Sequence, residues 1–214
     1  MVIKRRELDL NLLPDVSTLD AIRRFEPDVR AVLNHDSDFP ELNDRADSSL
    51  YLLSRVDSDT RSRYNSAYFR AGLNDFYSLE DAARRDCRKI GLKLEPPLIR
   101  ESPNPLVHMM YLLRHVNVHA TLSETTAHET TVISRMGGVE KEHDWQSVVL
   151  SKPTFEQVLL CREARKYYDP VELEKATEWL DSEQLTFGVG LLLMRGVSAY
   201  CREVLTAIGR LEGA

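Results

Sequence analysis

Apolar residues recur at every third or fourth position along most of this chain, which is the spacing of amphipathic helices. The clearest case is the stretch 104–122, where Asn104 can cap a helix and Pro105 suits its first position. Six apolar residues form one stripe of that stretch: Leu106, Met109, Met110, Leu112, Leu113 and Val116. We therefore predict a helix over 104–122 with one face in the core.

The same spacing predicts helices on both sides of this stretch. Before it, helices are predicted over 17–33, with an interruption at Pro27, over 48–56, and over 57–90, with a stop at Gly91. After it, helices are predicted over 154–167, from Pro170 with Asp169 and Glu172 as a capping box, and over 183–211 with Ser182 as the cap. Residues 35–45 and 92–103 are predicted to be loops, because turn formers and prolines are frequent there. Residues 1–16 are predicted to form an N-terminal arm.

The pattern changes after residue 122, where threonine, valine and turn residues become frequent. Two strands are predicted, over 130–135 and 145–150, with Gly137 and Gly138 between them. The sequence therefore predicts a mainly α-helical single domain over 1–214, with a small β-hairpin inserted at about 127–151.

Composition indicates a protein of the cytoplasm. The 214 residues are 43 % hydrophobic and 29 % charged, and no apolar run is long enough to span a membrane. The basic N-terminus lacks the apolar segment of a signal peptide. The three cysteines, Cys87, Cys161 and Cys201, are far apart and odd in number, which favours a reducing compartment.

The formal net charge of −6 argues against a protein that coats nucleic acid generally. A local basic cluster before the 104–122 helix could still guide RNA. Its members are Arg84, Arg85, Arg88, Lys89, Lys93 and Arg100. A solvated basic helix face is the commoner meaning of such a run.

Candidate chemistry concentrates on the 104–122 helix, which holds three of the six histidines. Titratable groups on a core-like helix are costly unless they are paired or do chemistry. Histidine can serve as an acid or base near neutral pH, and arginine stays charged and matches the geometry of phosphate. Arg114 with His119 could therefore cleave RNA without a metal.

The segment RHVNVH at 114–119 resembles the R-x4-6-H motif of the HEPN superfamily, helical domains found in many prokaryotic ribonucleases, toxins and defence proteins. The polar His115 directly after the arginine fits that family. A second match in spacing, Arg30 to His35, has Ala31 after its arginine and runs into a loop.

The resemblance implies a HEPN-like bundle that pairs as a homodimer, with both motifs facing one cleft. It implies RNA as the substrate, no cofactor, a toxin–antitoxin or phage-defence setting, and an antitoxin or regulatory protein as a further partner. The implied catalytic residues are His119 as general base or acid and Arg114 as phosphate clamp. His115 and Asn117 would orient them, and the product would be a 2′,3′-cyclic phosphate.

Two other interpretations remain open. His108, His115 and His119 fall near one face of the helix and could bind zinc. Alternatively, the histidines are structural and Arg114 pairs with a carboxylate such as Glu80 or Asp81. The chain would then be a catalytically inactive, HEPN-like dimeric interaction module.

Overall fold

The computed structural model describes residues 5–15, 27–35, 38–58, 63–93, 95–120, 124–136 and 138–211. The described part is mainly helical, with one antiparallel pair of strands. In chain order its α-helices and strands are α1 Pro27–His35, α2 Pro40–Ser58, α3 Asn65–Lys89, α4 Pro105–Ala120, β1 Thr125–Met136, β2 Val139–Leu150, α5 Thr154–Val158, α6 Arg162–Tyr167, α7 Pro170–Phe187 and α8 Val189–Ala207.

Two predicted helix starts are confirmed by their caps. The side-chain oxygen of Asn104 accepts the N–H of Leu106 at 2.9 Å and opens α4. Asp169 caps α7 by accepting two N–H groups of its first turn. Glu172, predicted as the capping-box partner of Asp169, instead accepts the N–H of Leu8 at 3.4 Å. The start of α7 is thus also an attachment point for the N-terminal arm.

Two predicted boundaries before α4 were wrong. Residues 40–45, predicted as loop, are the first residues of α2, because Phe39 and Leu42 are fully buried and draw the segment into the core. The predicted helix 57–90 is interrupted, since α2 ends at Ser58 and α3 begins at Asn65. The predicted stop at Gly91 is confirmed by its positive φ of 71°. The first part of the predicted helix 17–33, residues 17–26, lies outside the described residues.

The predicted boundaries after α4 also need correction. The hairpin strands are 12 residues each, about twice the predicted length. The predicted helix 154–167 is divided into α5 and α6. Ser182 does not start the last helix, because α7 continues to Phe187 and α8 follows Gly188. Gly188 has a φ of 82°, which lets the chain turn between the two helices.

The core is formed mainly where α2 packs along α3, where α8 crosses α2, and where α4 packs against α3 and α8. Phe76 of α3 and Tyr200 of α8 meet edge to face, with ring centroids 6.0 Å apart. Gly190 lets α8 approach α2, because a Cβ there would overlap the carbonyl oxygen of Leu53 and the carboxylate of Asp57. Asp57 accepts the N–H of Leu191 at 2.7 Å and so caps α8 from α2.

The β-hairpin is anchored at its base and exposed beyond it. The strands pair in continuous register from Thr125 opposite Leu150 to Met136 opposite Val139. Val148 is fully buried, and the hydroxyl of Ser147 donates to the carbonyl of Leu185 at 3.0 Å. Further out, Ile133 and Trp145 are 55 % and 44 % exposed. The hairpin is therefore a ribbon that extends from the helical body.

Candidate functional site on helix α4

His108 is buried in the core, and both of its ring nitrogens are hydrogen-bonded. Its Nδ1 lies 2.6 Å from the hydroxyl of Tyr168 and its Nε2 lies 2.5 Å from the carbonyl oxygen of Ser102. A carbonyl can only accept, so Nε2 carries the hydrogen and Nδ1 accepts from the Tyr168 hydroxyl. Burial lowers the pKa of His108 to about 4. His108 is therefore a neutral hydrogen-bonding group that fixes the start of α4.

The N-terminal arm inserts Arg6 next to this histidine. Arg6 donates from Nη1 to the Tyr168 hydroxyl at 2.8 Å, and its backbone N–H donates to the carbonyl of Tyr167 at 2.7 Å. The guanidinium carbon lies 5.2 Å from the ring centroids of both tyrosines and 5.4 Å from that of Tyr111. This cage could not be predicted from the sequence, because its members come from three distant segments.

Tyr111 links the arm to His115, the residue that follows the arginine of the motif. Its hydroxyl donates to Glu163 at 2.6 Å, and Glu163 also accepts from Arg6 at 3.3 Å. The Tyr111 ring lies 4.5 Å from the ring of His115, edge to face. Burial opposes ionisation of Glu163, yet the bond from Tyr111 and the charges of Arg6 and His115 hold its pKa below the usual value. His115 thus lies beside a carboxylate that stays ionised.

Arg114 is held by the ring of Tyr77, which His115 also contacts. Its guanidinium carbon lies 4.2 Å from the ring centroid of Tyr77, and its Nε is buried without a hydrogen-bond partner. Within the described residues it forms no ion pair. Glu80, one of the carboxylates proposed as its partner, instead pairs with Arg84 at 3.0 Å and accepts the N–H of Ile99. The guanidinium is therefore held by an aromatic face, and no carboxylate of the described segments neutralises it.

The other two predicted site residues lie further along α4. Asn117 is buried and donates from its amide to the carbonyl of Leu113 at 2.7 Å, one turn earlier. His119 is in the last turn of the helix, and its side chain lies outside the described part. Residues five apart on a helix differ in direction by about 140°. The backbone alone thus does not bring Arg114 and His119 together within one chain.

Three of the six residues of the predicted basic cluster are paired with carboxylates. Besides the Arg84 pair with Glu80, Arg85 and Lys89 both pair with Glu41 of α2. Arg88 is exposed. Such pairs on a helix surface contribute little to stability but reduce the net positive charge of the surface. RNA binding by Arg84, Arg85, Arg88 and Lys89 stays a prediction.

A cleft of about 700 Å³ lies between the N-terminal arm, the short 3-10 turn Ile99–Glu101 and α6. Three arginines and three glutamates line it: Arg5, Arg6, Arg100, Glu7, Glu101 and Glu163. Their formal charges balance, so the cleft is polar without being a basic channel. Through Glu163 and Tyr111 its wall reaches His115 of the motif.

In the described part of the chain, no three His, Cys, Asp or Glu side chains are grouped as a metal site. Zinc binding by His108, His115 and His119 would require His108 to give up one of its hydrogen bonds. Among the described helices none is long and apolar enough to cross a bilayer. Comparisons with protein-family models, curated proteins and solved structures found no match.

Proposed function

We propose that this chain is a metal-independent endoribonuclease of the HEPN type, with a toxin or defence role in the cytoplasm. One observation carries the proposal. Arg114, the arginine of the motif, is held on the ring of Tyr77 and has no carboxylate partner in the described residues. An arginine fixed by an aromatic face keeps its N–H donors for an anion, and phosphate matches its geometry.

The surroundings of Arg114 favour this role over a purely structural one. A structural arginine on a partly buried helix is expected to pair with a carboxylate, because an unpaired buried charge is costly. Glu80, three residues after Tyr77 on α3, pairs with Arg84 instead. His115, the next residue, is held by Tyr77 and Tyr111. Both side chains that open the motif are thus positioned by aromatic rings.

In the proposed reaction, His119 accepts the proton of a ribose 2′-hydroxyl. The oxygen attacks the adjacent phosphorus, and Arg114 stabilises the negative charge that builds on the phosphate. The leaving 5′-oxygen takes up a proton, which leaves a 2′,3′-cyclic phosphate and a 5′-hydroxyl. His115, beside the ionised Glu163, is suited to orient the phosphate or supply that proton.

Two chains are needed in this proposal, because Arg114 and His119 leave the helix about 140° apart. Homodimers in which the two motifs face one cleft would combine an arginine of one copy with a histidine of the other. The alternative, an inactive interaction module, would have the same α4 helix but no reaction.

The test is RNA cleavage by the purified protein in EDTA. We expect Arg114→Ala and His119→Ala each to lower the rate about 10²- to 10⁴-fold, the range of a lost acid–base or charge-stabilising group. The matched controls are Arg30→Ala and His35→Ala, because these two exposed residues have the same spacing on α1. Cleavage that all four substitutions leave unchanged, or no cleavage of varied RNAs by the folded protein, would favour the interaction module.

Mixing the two inactive variants tests the shared site. Half of the dimers in an equimolar mixture contain one Arg114→Ala and one His119→Ala chain, and each has one intact combination of arginine and histidine. We expect about a quarter of the parent rate to return. A mixture as inactive as its components would place both residues of each site in one chain.

A further inference from the structure

Strand β1 has one hydrogen-bonding edge without a partner strand. It pairs with β2 on one side, and the described residues contain no third strand beside it. Its first residue is tied to the helical body, where the N–H of Thr125 donates to the hydroxyl of Ser66. From Thr126 outward the described side chains are exposed or half-buried. An open edge presents unpaired N–H and C=O groups, and an isolated two-stranded ribbon is only marginally stable.

The order of residues in β1 makes this edge complementary to itself. We propose that β1 pairs antiparallel with β1 of a second copy, with the two strands centred on Val132. Residue 129 of each copy then faces residue 135 of the other, and these positions are Glu129 and Arg135 in the sequence. The two-fold symmetry gives this opposite-charge pair twice. The facing positions between these two pairs hold threonine, serine, isoleucine and valine, and beyond them His128 faces Met136.

The other edge of the ribbon lacks this complementarity. Residues that face each other across an antiparallel pair lie on the same side of the sheet, so both numbers are odd or both are even. The acidic residues of β2 lie at even positions, whereas its lysine lies at an odd one: Glu140, Glu142 and Asp144 against Lys141. Pairing β2 with itself at any centre from 140 to 144 therefore sets acid against acid. The arrangement of charges therefore favours self-pairing through β1 over self-pairing through β2, in the register centred on residue 132.

This contact is separate from the dimer of the proposed ribonuclease. In the proposed register the two copies of Thr125 are 14 positions apart along the strands. At about 3.4 Å per residue this is roughly 48 Å. Helix α4 ends at Ala120, shortly before β1, so the two motif helices would not share a cleft through this contact. The inference stands without the proposed function, and both contacts together would give assemblies larger than dimers.

Charge reversal tests the register by sedimentation velocity over a range of concentrations. Glu129→Arg and Arg135→Glu each set like charges face to face, and we expect each to weaken self-association about tenfold or more. Mixing these two variants should restore association, because the mixed pair sets two arginines against two glutamates. Glu142→Arg on β2 is the matched control for Glu129→Arg, because it makes the same change in charge. Equal weakening by the control, or no rescue in the mixture, would overturn the proposal.

Cysteine cross-linking gives a second and independent readout. In the proposed register residue 132 faces itself, so Val132→Cys should form a disulfide-linked dimer on mild oxidation. Thr130→Cys faces Ser134 and should cross-link much less, and the parent chain gives the background from its own cysteines. Circular dichroism shows whether each variant is folded. A parent protein that stays monomeric at every concentration, or a Thr130→Cys variant that cross-links as readily, would overturn the proposal.

Discussion

Acidification should destabilise the fold through His108. Burial lowers the pKa of this residue from 6.5 to about 4, whereas the unfolded chain takes up the proton near pH 6.5. Between these values the unfolded state binds more protons than the folded state, so stability falls as the pH falls. At about 1.4 kcal/mol per pH unit, His108 should cost about 3 kcal/mol on going from pH 7 to pH 4.

Two buried carboxyls act in the opposite direction over the same range. Burial raises the pKa of Asp57 from 3.8 and that of Glu203 from 4.5, each to about 7. Their folded forms bind protons more strongly than the unfolded chain, so they stabilise the fold as the pH falls. The contribution of His108 is therefore best measured as a difference between the parent and His108→Gln, which cannot be protonated.

The assay is urea unfolding of both proteins from pH 7 to pH 4. We expect His108→Gln to have a lower free energy of unfolding than the parent at pH 7. At pH 4 this difference should have shifted by about 3 kcal/mol in favour of the variant, so that it closes or reverses. Histidine NMR should give a pKa below 5 for His108 and a hydrogen on Nε2. A stability difference that stays constant across this range, a pKa near 6.5, or a hydrogen on Nδ1 would contradict a buried, neutral His108.

Three further substitutions test the fold by urea unfolding. Tyr168→Phe should cost about 1–3 kcal/mol, because it removes the hydroxyl that bonds Arg6 and His108, whereas Tyr51→Phe, 60 % exposed, should change nothing measurable. Gly190→Ala should cost about 1–3 kcal/mol net, since the new methyl overlaps the α2 backbone; equal or greater stability would contradict that close approach. Asn104→Ala should cost about 1 kcal/mol by removing the cap of α4, and no loss would contradict the cap.

The sequence predicts a helix boundary of this fold correctly where the residues that determine it lie within a few positions of it. Asn104 and Pro105 mark the start of α4 because a cap and a first-turn proline act within a few residues. The start of α2 at Pro40 depends on burial of Phe39 and Leu42 by distant elements, so the turn-rich composition there was misleading. Likewise, the break at Gly188 coincides with close packing against Asp57, a contact that spacing does not reveal.

The same distinction between local sequence patterns and tertiary contacts applies to the candidate site. Arg114 and His115 stand out because they are polar residues on an otherwise apolar helix. Tyr77, which holds both, lies on another helix and has no sequence signal of its own. The contact between Arg6 and Tyr168 joins residues 162 positions apart, so the role of the N-terminal arm follows from tertiary packing alone.

The chemical ends of the RNA products test the ribonuclease proposal most directly. A single-stranded RNA is incubated with the protein in EDTA, and the fragments are analysed by mass spectrometry. The proposal predicts 2′,3′-cyclic phosphate and 5′-hydroxyl ends that are absent with Arg114→Ala or His119→Ala. Fragments with 3′-hydroxyl and 5′-phosphate ends, cleavage that needs a divalent metal, or intact RNA with the folded parent protein would contradict it.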